Sequence, residues 1–309
     1  MSYAVLFPGQ GSQSVGMGAD LFETRPDLLG ETADEVLGWS LRRMCLEGPE
    51  EALTRTEHAQ PALYAVSYAL WVTFRDQVGQ DPVAMAGHSL GEYTALAAAG
   101  AFDYRTGLAL VAERGRAMAD AADVEPSGMA ALIGVNPGDA EKVAAARREQ
   151  GGRLTVANLN APGQVVVAGG IPDLDWLAEN ASDYGIRRVI RLNVAGAFHS
   201  DFMAPAAARL EAALREAEIR DPELPVWSNT TAQPHGSLLV ETLVEQVVSP
   251  VRFSESLENM AATGISTFVH VGPGDVTAGM ARKTIPGAQV LVVSTPDDIA
   301  VAVDSIGTM

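Results

Sequence analysis

Apolar residues run without a break in "YAVLF" (3–7) and give way to the glycine-rich "PGQGSQSVGMG", so the chain opens on a buried strand followed by a loop. Between residues 50 and 80 the apolar positions recur at helical spacing, and Pro61 is expected to interrupt that helix because it has no N–H to donate. "PVAMAGHS" predicts a short strand and "EYTALAAAGA" a helix of small residues that packs closely.

From residue 128 the pattern changes. "GMAALIGV", "RLTVANLN", "QVVVAGG" and "RRVIRLNV" read as strands, with helices at "GDAEKVAAARREQ" and "PDLDWLAENASDYG". The order β-α-β-β-α-β is that of a ferredoxin-like unit. A helix at "APAAARLEAALREAE" and strands at "PVWSN", "TFVHVG" and "QVLVVST" follow it. Strands alternating with helices predict a mostly parallel sheet covered on both faces. The expected fold class is therefore α/β. A large domain is discontinuous over residues 1–125 and 196–309, and a small ferredoxin-like domain is inserted at 126–195. The cleft between two such domains is where small-molecule sites usually lie.

Composition narrows the choice of ligand. With 21 Lys and Arg against 39 Asp and Glu, the net charge of -18 argues against nucleic acid, so any anionic ligand must meet a local basic site. The N-terminus has no basic segment leading into a long apolar stretch, and no apolar run approaches the length of a bilayer. The expectation is a cytoplasmic protein with no membrane association. Cys45 is the single cysteine, so no internal disulfide is possible, and nothing around it has metal-ligand spacing.

The chemistry centres on Ser89 in "GHSLG" (87–91). Strand, tight glycine turn and helix are the setting in which G-x-S-x-G presents a nucleophile. A serine hydroxyl needs a base to become one, and five histidines are available. His88 adjoins Ser89 across a sharp turn and reads as a supporting or packing residue. His58 and His235 read as solvated, and His270, in "TFVHV", as a core histidine with satisfied nitrogens. His199 follows the last strand of the small domain, where the chain re-enters the large one, and so borders the cleft. It is a candidate base, not a unique one.

Arg114 gives a sharper signal, because a helical wheel of "GLALVAERGRAM" puts it on the apolar stripe with Leu110, Val111 and Met118. A buried guanidinium requires anionic or multiple hydrogen-bonding partners. An internal carboxylate is the simpler expectation, and a ligand carboxylate the alternative.

Eight motifs in order, "LFPGQGSQSVGMG", "TEHAQPAL", "GHSLGEYTAL", "ERGRAM", "NAPGQVVVAG", "GAFHS", "SPVRF" and "VGPG", cover nearly the whole chain. This set resembles the malonyl-CoA:acyl carrier protein transacylase family, which includes polyketide synthase acyltransferases. The resemblance implies an α/β-hydrolase-like large domain, no bound cofactor or metal, malonyl-CoA as donor and a phosphopantetheinylated acyl carrier protein as partner. It implies Ser89 as nucleophile, His199 as acid and base, and the N–H groups of Gln10 and Leu90 as the oxyanion hole. Arg114 would take the malonyl carboxylate, and the Gln246 carbonyl would orient the histidine. Phe198, before that histidine, implies malonyl over an α-branched acyl group. The "GAFHS" form is closer to free-standing, trans-acting polyketide acyltransferases than to fatty-acid enzymes, in which serine tends to precede the histidine.

Three clusters could meet an acidic carrier: Arg147, Arg148 and Arg153; Arg187, Arg188 and Arg191; and Arg282 with Lys283. Ordinary solvated faces are the simpler expectation for each. The competing functions are an acyl-thioester hydrolase, transfer of an unusual acyl group between carriers, and a non-catalytic carrier-binding module.

Overall fold

The computed structural model of the protein describes residues 2–307, so Met1, Thr308 and Met309 of the expected large domain lie outside the described residues. Strand β1 (Tyr3–Phe7) is buried at every position, as its unbroken apolar run requires of a strand covered on both faces. With β2 (Ala84–Gly87) and seven later strands it builds two sheets. β3 is Ser127–Ile133, β4 Thr155–Ala161, β5 Gln164–Gly170, β6 Val189–Arg191, β7 Val226–Trp227, β8 Thr267–Val271 and β9 Gln289–Val293. The larger sheet has the order β7-β2-β1-β8-β9, and all of its pairs are parallel.

The expected break at Pro61 does not occur: one helix runs from Thr56 to Val78 with Pro61 inside it. A proline inside a helix costs about 3 kcal/mol. Leu63, Val66, Leu70, Trp71 and Phe74 are all buried along this helix, each contributing about 1.5–3 kcal/mol, so burial outweighs the lost bond. The second long helix, Tyr104–Val124, packs against the first. Gly115 makes that approach possible, since a Cβ there would lie 2.9 Å from the Thr56 carbonyl oxygen. The neighbouring Arg114 is thereby brought within reach of the first helix.

The inserted unit has the sheet order β4-β5-β3-β6 with every pair antiparallel, and its helices span Pro137–Glu149 and Ile171–Asn180. This is the ferredoxin-like arrangement expected from the order of elements. Alternation along β5 divides its side chains: Val165 and Val167 join a core with Leu174 and Leu177, whereas Val166 and Ala168 join the core of the large sheet. The two parts are also stitched through backbone bonds, Leu159 N–H to the Val251 carbonyl at 2.8 Å and Val251 N–H to the Ala157 carbonyl at 2.9 Å. Strand β6 is shorter than the expected 187–194. Among the described residues, no helix is long and apolar enough to cross a membrane.

Candidate active site

Ser89 sits between the end of β2 and the helix Gly91–Ala98, with φ at +50°. Few residues other than glycine adopt this left-handed conformation, so the turn is strained and must be held. Gly87 permits it, because a Cβ there would come within 1.9 Å of the Gly91 carbonyl group. Asn229, just beyond β7, clamps it: Ser89 N–H donates to Asn229 Oδ1 at 2.6 Å, and Asn229 Nδ2 donates to the Gly87 carbonyl at 2.7 Å.

His199, the residue bordering the cleft, also has a positive φ (+58°) and is buried. Its Nε2 lies 2.8 Å from Ser89 Oγ, and its Nδ1 lies 2.8 Å from the Gln246 carbonyl oxygen. A carbonyl can only accept, so Nδ1 carries the hydrogen and the Nε2 lone pair faces the serine hydroxyl. Burial, and then the positive charge of Arg114, push the His199 pKa down to about 3. The ring is therefore a neutral acceptor at neutral pH.

Arg114 is 1% exposed. Its Nη1 donates to Gln60 Oε1 at 2.6 Å, and its Nη2 to Ser89 Oγ at 3.0 Å and Gln246 Oε1 at 2.9 Å. The expected internal salt bridge is absent: among the described residues, no carboxylate forms an ion pair with Arg114. Neutral amides and a hydroxyl take its hydrogens instead, and burial lowers its pKa from the usual value. A guanidinium buried without a carboxylate beside the serine keeps the capacity to receive an anionic group.

Ser89, His199, Arg114 and Gln60 line a cavity of about 380 Å³ with Gln10, Leu90 and Phe198 on the large-domain side. Met129, Ala131, Val166, Asn158 and Asn160 form the facing wall. Among the described residues, the backbone N–H groups of Gln10 and Leu90 have no protein partner, so both remain available to an oxygen on a bound molecule. No group of three or more His, Cys, Asp or Glu among the described residues is placed to hold a metal ion.

Of the other histidines, His270 and His88 are as expected and His58 and His235 are not. His270 is a buried core residue bonded to Thr277 Oγ1 and the Gly272 carbonyl, and His88 packs on Phe253 while meeting Asn160 Oδ1 at 2.8 Å. His58 is half-buried, not solvated, with Nδ1 2.9 Å from the Ala52 carbonyl and its ring edge-on to Trp39. His235 is the clearer correction: its side chain is enclosed and its Nε2 meets Glu92 Oε1 at 2.6 Å. The loop "AQPHGS" looked polar, but tertiary packing folds it over a buried carboxylate.

The basic clusters also differ from one another. Arg147, Arg148 and Arg153 are paired with Asp173, Glu141, Glu125 and Asp201, and Arg191 is paired with Asp175. Arg187, Arg188, Arg282 and Lys283 are exposed, and Arg282 also donates to the Val290 carbonyl at 3.4 Å. The first cluster is thus internally neutralised.

Sequence reasoning missed Gln60, Asn229, Glu92 and the side chain of Gln246. Asn and Gln carry no signal of their own in a single sequence. For Glu92 a signal existed, because a carboxylate three residues after Ser89 in an otherwise small, apolar helix had to be buried or project from it.

The chain matches the acyl transferase domain family over residues 5–297. It is 40% identical over 307 residues to a malonyl CoA-acyl carrier protein transacylase of Bacillus subtilis, covering 98% of this chain and 96% of that protein. Among solved structures it is similar to an acyl-carrier-protein-S-malonyltransferase of Bartonella henselae (TM-score 0.94, 37% identity, 99% of this chain and 100% of that one). It is similar also to a malonyl-transacylase solved in complex with a type II polyketide synthase acyl-carrier protein (TM-score 0.93, 33% identity, 99% and 100% of the two chains).

Proposed function

The chain belongs to the acyl transferase domain family, and from that premise we propose that it moves a malonyl group from malonyl-CoA, through an ester on Ser89, to the phosphopantetheine thiol of an acyl carrier protein. The setting is fatty-acid or polyketide synthesis. The observation that carries the residue assignment is the pair of contacts at one oxygen: Ser89 Oγ lies 2.8 Å from a histidine acceptor and 3.0 Å from an arginine donor.

In the first half-reaction the Arg114 fork takes the free carboxylate of malonyl-CoA, where two parallel charge-assisted bonds match its two oxygens. Ser89 attacks the thioester carbon while its proton passes to His199 Nε2. The carbonyl electrons move onto oxygen, and the N–H groups of Gln10 and Leu90 receive that oxyanion. Each such donor contributes about 3–4 kcal/mol to lowering the barrier. Collapse breaks the carbon–sulfur bond, and His199 returns its proton to the departing CoA sulfur. In the second half the carrier thiol gives its proton to His199 and attacks the ester. Collapse then breaks the ester bond, and the proton returns to Ser89 Oγ. The scheme is ping-pong.

Charge couples the two steps of binding and chemistry. With Arg114 unpaired, its positive charge lowers the basicity of His199; a malonyl carboxylate offsets that charge and strengthens the base. The donor therefore completes its own catalyst. Phe198, buried beside His199 and lining the cavity, leaves little room for a branch at the carbon between the two carbonyl groups, which favours malonyl over methylmalonyl.

Intact-mass measurement after mixing with malonyl-CoA tests the reading. One malonyl group is expected on the parent protein and none on Ser89→Ala. Carrier protein should discharge the ester far faster than water does. Equal loss in water alone would instead identify a hydrolase, and absence of any Ser89-dependent adduct a binding module.

A further inference from the structure

One carboxylate beside the nucleophile has no part in the chemistry above. Glu92 lies in the first turn of the helix after Ser89 and is fully buried. Its Oε2 accepts from Gln246 Nε2 at 2.7 Å and from Asn229 N–H at 3.1 Å, and its Oε1 accepts from His235 Nε2 at 2.6 Å. Nδ1 of His235 is buried and has no partner among the described residues. Nδ1 has no acceptor to meet, so the His235 hydrogen in this contact belongs on Nε2, facing Glu92 Oε1. All three contacts of Glu92 are then with N–H donors, the pattern of an acceptor-only carboxylate.

Gln246 stands between this carboxylate and Arg114. A carboxylate only accepts hydrogen bonds and a guanidinium only donates them. One orientation of the Gln246 amide satisfies both, with Nε2 toward Glu92 and Oε1 toward Arg114. The flipped amide would set oxygen against oxygen on one side and N–H against N–H on the other. In the allowed orientation Nε2 also donates to the Ser89 carbonyl at 3.0 Å, which ties the nucleophile turn to the same amide.

We propose that Glu92 is a positioning residue for acyl recognition: it supplies the counter-charge of Arg114 through the Gln246 amide and leaves the serine-facing edge of the guanidinium free of any competing carboxylate. A direct ion pair would satisfy Arg114 in the empty site and have to be broken by each incoming malonyl group. Relayed through an amide, the same charge takes one hydrogen of Nη2, while the other faces Ser89 Oγ and Nε–H has no partner among the described residues, so donors remain for the substrate. Gln60 Oε1 holds the other nitrogen, so the fork is fixed from two sides.

The inference rests on the malonyl-transfer reading, and loading of the parent protein by malonyl-CoA is therefore measured first; its failure would remove that reading and not this one alone. Loading by malonyl-CoA and acetyl-CoA is then compared in Glu92→Gln, whose amide can face Gln246 either way. The malonyl:acetyl preference is expected to fall about tenfold, with a raised KM for malonyl-CoA. In a Gln246→Met background, which has no amide to orient, adding Glu92→Gln should cause no further fall. Should Glu92→Gln fail to fold, Glu92→Asp, which withdraws the charge by one methylene, should show a smaller fall in the same direction. An unchanged preference in a folded variant overturns the proposal. So does an equal loss with both donors, or a loss of full size in the Gln246→Met background.

Discussion

The two walls of the cavity are built on opposite principles. The large-domain wall carries Ser89, His199 and Arg114, with Gln246 behind them, polar groups that hydrogen-bond to one another and come from segments far apart in the chain. The small-domain wall carries Met129, Ala131 and Val166 from the outer face of an antiparallel sheet, with Asn158 and Asn160 beside them. Charge and proton transfer belong to the first wall and shape to the second. Low-dielectric surroundings strengthen every interaction the polar wall makes with a charged group, so an apolar partner surface is what gives Arg114 its weight.

Arg114→Ala should break the contrast most severely. It removes the cation and leaves Gln60 and Gln246 without their donor, so malonyl kcat/KM is expected to fall about 10²- to 10³-fold. Acetyl transfer should be spared or improved, and stopped-flow loading with both donors measures the ratio; an equal fall would take Arg114 out of the acyl pocket. Phe198→Ser is a change of shape beside the polar wall. It should raise methylmalonyl loading about tenfold, the scale of one methyl group in a fitted pocket, and leave malonyl within a few-fold. Competition between the two CoA esters, read by mass, checks it.

The smallest effect at neutral pH, and the sharpest on acidification, concerns two buried histidines. Burial pushes His270 down to about 4, while burial and the Arg114 charge push His199 down to about 3. For each, the unfolded chain takes up a proton first as the pH falls below the ordinary histidine value of 6.5. Stability is therefore complete above about pH 6.5 and is lost at about 1.4 kcal/mol per pH unit per histidine down to the folded value. His270→Gln should remove one share of that slope between pH 6.5 and 4 without altering malonyl loading at pH 7. Urea titrations across that range measure it, and an identical slope in variant and parent would refute the assignment.

Much of this was legible in one dimension. Period-two and uninterrupted apolar runs identified the strands, and the element order identified the ferredoxin-like unit, because strand burial and alternation are local properties of the pleat. The amphipathic phase of "GLALVAERGRAM" was enough to bury Arg114. Pro61 was misread because a local rule was applied where a helix with a fully buried face could outweigh it. His235 was misread because its neighbours in the chain are polar and mostly exposed, whereas in space its side chain is enclosed against the buried Glu92 carboxylate.

The sequence by itself determined most of the elements, the tight serine turn, the buried arginine and the motifs by which the family could be identified. Only the tertiary structure decided what each polar group meets. Ser89 and His199 are separated by 110 positions, Arg114 and Gln246 by 132, and Glu92 and Gln246 by 154. Partner choice over such distances has no local periodicity to reveal it. It is set by packing, which turned an expected Arg114 salt bridge into a charge relayed through an amide.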